Sequence, residues 1–252
     1  MITLYDIPSR LVQKAWSPNV WKTRYCLNFK QLPYRTEWVE YPDIELKSKE
    51  LGVRRPSLRR PNGAQAYTLP VIRDSNTGTS VADSFKIAEY LDRTYPNPQR
   101  MIFPHNTAGI QAPFARSFAA NMSPIMNLII PPECDMLNPR SAEWFSRTRV
   151  EIFGLAKLED MLPKSSADYK REWAKVQDGL TKSAKWFAKN ERGGPFIMGP
   201  EPCWADFVVR GYLMWMRCVW GEESEHWRDV LSWDDGRWAK FVDGLKKYEN
   251  VV

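Results

Sequence analysis

Histidine is nearly absent from this chain. His105 and His226 are the only two in 252 residues, too few and too far apart to found a metal centre. The four cysteines, Cys26, Cys134, Cys203 and Cys218, form no Cys-x-x-Cys pair and no spacing suited to zinc, so no metal is expected. No apolar run approaches the ~18 residues of a membrane-spanning helix, so no membrane partner is expected. Residues 1–6 lack the basic start and apolar run of a secretion signal and read as a strand. With no paired-cysteine pattern, this predicts a reduced, cytoplasmic chain. No repeat of 20–50 residues and no low-complexity tract is visible. Positive charge is in modest excess, +6 overall, and gathers tightly only at Arg54, Arg55, Arg59 and Arg60, in a loop with Pro and Gly. Nucleic-acid binding would continue such a patch along one face, so no nucleic acid is expected as a partner.

What the chain has is hydrophobic mass. Apolar residues make up 43% of it, enough for a sizeable core, and 12 tryptophans with 9 methionines are many for this length. The first part alternates strands and helices. Residues 2–6 read as a strand. After a loop from Pro8, Ser17 stands at the N-cap and Pro18 in the first turn of a helix that runs to the Gln31-Leu32-Pro33 stop. Residues 34–40 alternate as a strand. Pro42-Asp43-Ile44 opens a second helix ending near Gly52, and a polar loop reaches Ala66. A strand at 69–73, a turn, a strand at 79–82 and a helix to Tyr95 come next. Beyond Pro96-Asn97-Pro98 the pattern changes: 107–129, 141–162, 166–190, 204–218 and 235–248 all read as helices. The expected fold is α/β plus all-α, a βαβ-αββα domain over residues 1–97 and an all-helical domain over 106–252.

The most informative stretch is Tyr67-Thr68-Leu69-Pro70-Val71-Ile72 with Val81-Ala82-Asp83-Ser84. A proline at the start of an apolar strand belongs at an edge or in a cis turn, so a cis Leu69–Pro70 bond is expected. That turn leaves the N–H and C=O of Leu69 free to pair with an extended peptide. Asp83 or Ser84 is the N-cap of the next helix, whose N-terminus attracts a carboxylate. Side by side they make a site for a small acidic peptide. The plainer alternative is an ordinary hairpin and a capped helix.

This element order, with Leu69-Pro70 before the second hairpin, Asp83-Ser84 at the third helix and Ser17-Pro18-Asn19-Val20-Trp21-Lys22-Thr23-Arg24-Tyr25 at the first, resembles the glutathione transferase family. The Ser-Pro-x-x-Trp-(Lys/Arg) opening is similar to that of serine-type members, closest to the fungal etherase-related (FuA) class and the bacterial lignin β-etherases. The likeness continues through residues 83–92. It implies a thioredoxin-like domain that holds glutathione as co-substrate and a helical domain that completes a hydrophobic pocket. By that resemblance Ser17 is the catalytic residue and contacts glutathione. Leu69, ahead of Pro70, pairs its backbone with the cysteinyl part. Asp83 and Ser84 take the γ-glutamyl end, and Gln65, Tyr67 or Thr68 handles the glycyl carboxylate. The chemistry suits these types: a thiol with a pKa of about 8.5 is mostly protonated at pH 7, and a hydroxyl donor beside a helix N-terminus favours the thiolate. From the residues alone Ser17 reads first as an N-cap, and Asn19 is a rival donor to the sulfur. Cys203-Trp204-Ala205-Asp206 stands where the family has a Ser/Thr-x-x-Asp capping box, so half of that box is expected to be lost. Cys26, inside the first helix, is expected to be buried rather than catalytic.

On the substrate side, Phe114, Phe118, Met122 and Met126 recur every four residues, and Tyr212, Trp215 and Met216 lie on a late helix. Such a stripe is core by default, but the resemblance sets that helix across a cleft from the thiol. The expected pocket is Asn19, Phe114, Phe118, Met122, Tyr212 and Trp215, open to hydrophobic aromatic small molecules. The function this implies is a glutathione transferase acting on aromatic or other hydrophobic electrophiles, with ether cleavage within its range and a role in detoxification. The alternative is a ligandin that binds aromatics with little turnover. The resemblance also implies a homodimer, in which Ile87 or Tyr90 of the third helix meets the partner.

Overall fold

A computed structural model describes residues 1–53, 58–59, 63 and 65–252, with the backbone alone at 58 and 59. The side chains of the basic cluster Arg54, Arg55, Arg59 and Arg60 lie outside the described part of the chain. Strand β1 (Ile2–Asp6) leads through a long loop to helix α1 (Pro18–Lys30) and back to β2 (Tyr34–Trp38). A 3-10 turn at Tyr41–Asp43 enters α2 (Ile44–Glu50). The small ladder of β3 (Leu58–Arg59) and β4 (Gln65–Ala66) comes next, then the hairpin β5 (Val71–Asp74) and β6 (Thr79–Ala82) and helix α3 (Ser84–Thr94). The main sheet has the order β2-β1-β5-β6. β1 runs parallel to β2 and antiparallel to β5, and β5 pairs antiparallel with β6. Every residue of β1 is buried, as a central strand covered on both faces requires. This is a thioredoxin-like sheet domain. The C-terminal half is helical: α4 (Ala108–Asn121), α5 (Met126–Asp135), α6 (Pro139–Phe153), α7 (Ser166–Phe187), α8 (Trp204–Trp220) and α9 (Glu225–Leu245).

Three helical spans differ from the sequence expectation. The stretch 107–129 is two helices, because α4 stops at Asn121 and a 3-10 turn at Ser123–Ile125, holding Pro124, redirects the chain. α5 then continues past 129 through Pro131 and Pro132, which supply no N–H to the ladder. The stretch 141–162 ends at Phe153, where Gly154 takes the left-handed conformation (φ 64°) of a helix C-terminus. α9 starts ten residues before 235, capped by Ser224, whose Oγ accepts from the Trp227 N–H at 3.1 Å. It breaks at Trp233–Gly236, where Asp234, Asp235 and Gly236 have positive φ. The capping box of α8 is complete, contrary to expectation. Asp206 accepts from the N–H groups of Cys203 and Ile197, each at 2.9 Å, and the Cys203 sulfur faces the Asp206 N–H as a weak acceptor.

α1 lies between the sheet and α8. Gly211 makes the approach possible, since a Cβ there would stand 2.7 Å from the Pro18 carbonyl oxygen. Phe207 of α8 stacks on Tyr25 of α1 at 5.9 Å. The C-terminal segment closes this seam. Glu249 accepts from Arg210, from Arg217 at 2.8 Å and from the Tyr25 hydroxyl at 3.2 Å. On the far side the turn before α2 docks on α6: Asp43 takes two hydrogen bonds from Arg140, both 2.9 Å, and Tyr41 stacks on Trp144 at 5.1 Å. Ile87 and Tyr90, expected to meet a partner subunit, are instead buried inside this chain. Ile87 has no exposure, and the Tyr90 hydroxyl donates to Asp74 at 2.7 Å. α3 therefore buries its apolar stripe against α1 and the β5–β6 hairpin of its own chain.

Arg210 is fully buried and its Nε and Nη1 have no partner among the described residues, so Glu249 is its counter-charge. Glu249→Ala is expected to cost about 3–5 kcal/mol, the usual penalty for leaving a buried ion uncompensated. Urea denaturation of wild type and variant measures it, and a loss under about 1 kcal/mol would show that the seam is held by packing alone.

Candidate functional site

Sheet register brings three segments to one end of the molecule. Tyr5 pairs with Val71, and Val71 with Ala82. The loop leaving β1 toward Ser17, the Leu69-Pro70 turn entering β5, and Asp83-Ser84 leaving β6 therefore emerge side by side. The loop is pinned from the helical half: the Arg10 N–H donates to the Met136 carbonyl at 2.8 Å, and the Cys218 thiol to that of Ala15 at 3.8 Å.

The Leu69–Pro70 bond is cis. Among the described residues the Leu69 N–H and C=O have no hydrogen-bond partner, while the neighbouring Pro70 carbonyl accepts from the Asp83 N–H at 3.4 Å. Asp83, not Ser84, is the N-cap of α3: its Oδ1 accepts from the N–H groups of Phe85 at 3.0 Å and Lys86 at 3.1 Å. Its backbone (φ 82°, ψ 123°) is one that a residue with a Cβ adopts only where its surroundings impose it. The Ser84 hydroxyl makes no hydrogen bond among the described residues. Gln65 and Thr68 are exposed, and the Tyr67 hydroxyl reaches Gln65 at 3.5 Å.

Ser17 precedes α1, and Pro18 fills the first helical position. The Ser17 side chain caps nothing, although the residue is only 5% exposed. Beside it, Asn19 Oδ1 accepts from Lys22 Nζ at 2.8 Å, and that ammonium lies 5.7 Å from the centre of the Tyr212 ring. Desolvation between α1 and α8 pulls the Lys22 pKa down to about 8, against the opposing pull of the Asp83 carboxylate.

A cavity of about 170 Å³ opens onto Ser17 and Asn19. Its apolar walls include Trp16, Met126, Ile130, Phe145, Tyr212 and Trp215, and its polar ones Tyr41, Glu133 and Arg149. Of the residues the sequence suggested for a pocket, Asn19, Tyr212 and Trp215 line this cavity. Phe114, Phe118 and Met122 do not. The break after α4 leaves Phe118 and Met122 with no exposure, in the layer behind Tyr212, whose ring stands 5.3 Å from that of Phe118. Phe114 packs on Phe118 and Trp186. The wall is made instead by Met126, Ile130 and Glu133, which the continuation of α5 places on one face by their i, i+4, i+7 spacing. Sequence reading missed Glu133, Tyr41 and Arg149, and that spacing was the available signal for the first.

Glu133 is 3% exposed. Its Oε2 accepts from the Trp215 indole N–H at 3.0 Å. Burial pushes its pKa up to about 8, against the opposing pulls of Arg149 and of that hydrogen bond. Arg149 packs over the rings of Phe145, at 4.2 Å, and Tyr41, at 5.8 Å. Among the described residues no cluster of three or more His, Cys, Asp or Glu could hold a metal ion, and no helix is long and apolar enough to cross a membrane.

Comparison with known proteins agrees with this fold. Family models for the N-terminal and C-terminal domains of glutathione S-transferases match residues 16–94 and 109–248. The glutathione S-transferase-like protein ustS of Aspergillus flavus is 33% identical over 251 residues, covering 92% of this chain and 85% of the relative. The glutathione S-transferase CsGST63524 of Ceriporiopsis subvermispora, solved in complex with glutathione, is 42% identical with a TM-score of 0.93, covering 100% of this chain and 98% of its own. Glutathione transferase GSTFuA3 of Phanerochaete chrysosporium is 40% identical with a TM-score of 0.90 over the same shares.

The raised pKa of Glu133 has a consequence for stability. In the unfolded chain this carboxyl ionises at its ordinary value near 4.5, and in the folded chain at about 8, so the folded state holds the proton more tightly. Its favourable contribution is complete below the unfolded pKa and is lost as pH rises through the folded one. Glu133→Gln removes that dependence. From about pH 5 to about pH 8.5 the variant is expected to gain stability relative to wild type by a few kcal/mol, at about 1.4 kcal/mol per pKa unit. Denaturant titrations across this range check it. Parallel pH profiles would mean that the carboxyl is ionised in the fold.

Proposed function

The chain belongs to the glutathione S-transferase family, and from that premise we propose that it binds glutathione along residues 1–97. Ser17 holds the thiolate for attack on an aromatic or other hydrophobic electrophile, which sits in the cavity completed by residues 106–252. The observation that carries this reading is the Ser17 hydroxyl, which stands on the cavity wall at the N-terminus of α1 and is engaged in no cap. A hydroxyl donor and a helix N-terminus converging on a sulfur favour its anion without a protein base.

The remaining parts fit one tripeptide. The open backbone of Leu69 pairs with the cysteinyl unit as a strand edge does. Asp83 offers a carboxylate to the γ-glutamyl ammonium, and Ser84 offers a hydroxyl at the start of α3 to its carboxylate. Gln65 and Thr68, both exposed, stand toward the glycyl end. The Lys22 ammonium, between Asn19 and Tyr212, adds positive potential on the thiolate side. For the second substrate the cavity is near the ~150 Å³ at which an apolar protein cavity admits one benzene ring. Its Trp, Phe and Tyr walls suit an aromatic compound, and detoxification of such compounds is the corresponding role. Storage of aromatics without turnover leaves the uncapped Ser17 without a purpose.

Ser17→Ala is expected to raise the apparent thiol pKa of bound glutathione by about 1.5 units, equivalent to roughly 2 kcal/mol, read by ultraviolet titration of the thiolate. Asp83→Ala with Ser84→Ala is expected to weaken glutathione binding by about 1–3 kcal/mol in calorimetry. An unchanged thiol titration would transfer the role to Asn19 or a backbone donor, and unchanged affinity would remove Asp83 and Ser84 from the site.

For assembly we propose a two-fold homodimer whose contact lies outside the buried face of α3. Sedimentation at micromolar concentration is expected to give twice 29.4 kDa, and a single-chain mass would refute the dimer.

A further inference from the structure

We propose that Glu133 is the acid of the pocket: its carboxyl delivers a proton to the oxygen of an aryl ether as glutathione sulfur displaces it, so that single-ring aromatics with an oxygen leaving group are the substrate class. This rests on the reading of Ser17 given above and adds a second reacting group to the same cavity.

Met126, Ile130 and Glu133 form one wall, and Ser17 opens onto the same space. In a volume of about 170 Å³ a substrate that reaches the thiolate near Ser17 fills the space Glu133 faces. Trp215 fixes one carboxyl oxygen at 3.0 Å, and the other, Oε1, has no hydrogen-bond partner among the described residues. A buried carboxyl with one donor and no ion pair keeps its proton, because the charged form would be left poorly solvated. The groups that face it are Arg149 from α6, Tyr41 from the turn before α2, Tyr212 and Trp215 from α8, and Ser17 and Asn19 at the start of α1. Arg149 is the one full positive charge among them, and it acts on Glu133 through charge alone, with no hydrogen bond between the two. A pocket built only to store apolar rings would be better served by leucine here, since a buried carboxyl costs stability.

The step balances. The thiolate sulfur forms a bond to the ether carbon while the C–O bond breaks and its electron pair goes to oxygen. The Glu133 proton moves to that oxygen and releases a phenol. The carboxylate left behind regains a proton from water, matching the one the thiol gave up on ionising. The help is greatest where the departing phenoxide is basic and least where it is stable by itself.

The test uses the full-length protein, glutathione and two aryloxyacetones, one losing phenol and one losing the far more acidic 4-nitrophenol. With wild type, turnover of the phenyl ether is expected to fall more steeply as pH rises through about 8 than that of the nitrophenyl ether, which shares the loss of the Lys22 charge but does not need the Glu133 proton. Glu133→Gln keeps an acceptor for Trp215 but has no proton to give. It is expected to lower kcat on the phenyl ether about 100-fold, far more than on the nitrophenyl ether, and to abolish the difference in slope between the two profiles above about pH 8. Equal losses on both ethers, no loss on either, or wild-type profiles of the same shape would overturn the assignment. The wild-type profiles decide even if the variant folds poorly. Conjugation of 1-chloro-2,4-dinitrobenzene by wild type without cleavage of either ether would overturn the role of Glu133 and leave that of Ser17 standing. Turnover of none of the three would overturn both.

Discussion

The burial of α1 is the constraint on which the rest depends. Nine of its residues are buried, from Val20 to Lys30, because one helix serves as the cover of the sheet and as the floor of the helical half. The arrangement works only if α8 comes close, and Gly211 against the Pro18 carbonyl is where the two backbones nearly touch. A helix held so firmly fixes its own N-terminus. Ser17 and Pro18 therefore stand at a set place relative to both halves, with no need for a side-chain cap to hold them. The loop that feeds Ser17 is tied back to α5 and α8 for the same reason, so the hydroxyl proposed to hold the thiolate is positioned by packing from both halves.

Two buried acids show how environment separates structural from chemical roles. Asp6 sits against Arg24 at 2.7 Å and accepts from the Ile7 N–H at 2.7 Å, and Arg24 Nη1 also donates to Tyr34 and Thr36, while its Nε has no partner among the described residues. Both Asp6 oxygens are taken, and the pair fastens α1 to the sheet. Glu133 has one indole donor and an open oxygen beside a cavity. The same functional group is a fastening in one place and a proton store in the other. The difference lies in whether the partners saturate it.

Much of the N-terminal half was legible in the sequence because its signals are local. Alternation marked β1 and β2, Pro18 and Pro33 bounded α1, and the Leu69-Pro70 and Asp83-Ser84 pairs carried turn and cap chemistry within a few residues each. The helical half was harder to read where long range decided the outcome. Helical periodicity continued across Met122–Ile125 and masked the one local sign of a break, Pro124, which divides the first three members of the Phe114, Phe118, Met122, Met126 stripe from the last. Pro131-Pro132 disguised the continuation of α5, and with it Ile130 and Glu133. Tyr41 and Arg149 come to the cavity only through the docking of the turn before α2 on α6, a contact between segments far apart in sequence.

The break that hid the pocket also builds it. Had α4 continued straight to 129, Phe118, Met122 and Met126 would share one face and the wall would be apolar throughout. The 3-10 turn sends Phe118 and Met122 into the layer behind Tyr212 and starts a new helix whose cavity-facing stripe ends in a carboxyl. Residues 1–97 carry the parts that suit a common co-substrate: an open backbone edge, a helix N-terminus and a hydroxyl. The facing wall is supplied from α5, α6 and α8, where Met126, Ile130 and Glu133 on successive turns of α5 line the cavity. Specificity in such a fold can change through the helical half while the thiol end stays as it is, because the two walls of the cavity belong to elements that pack on α1 from different sides.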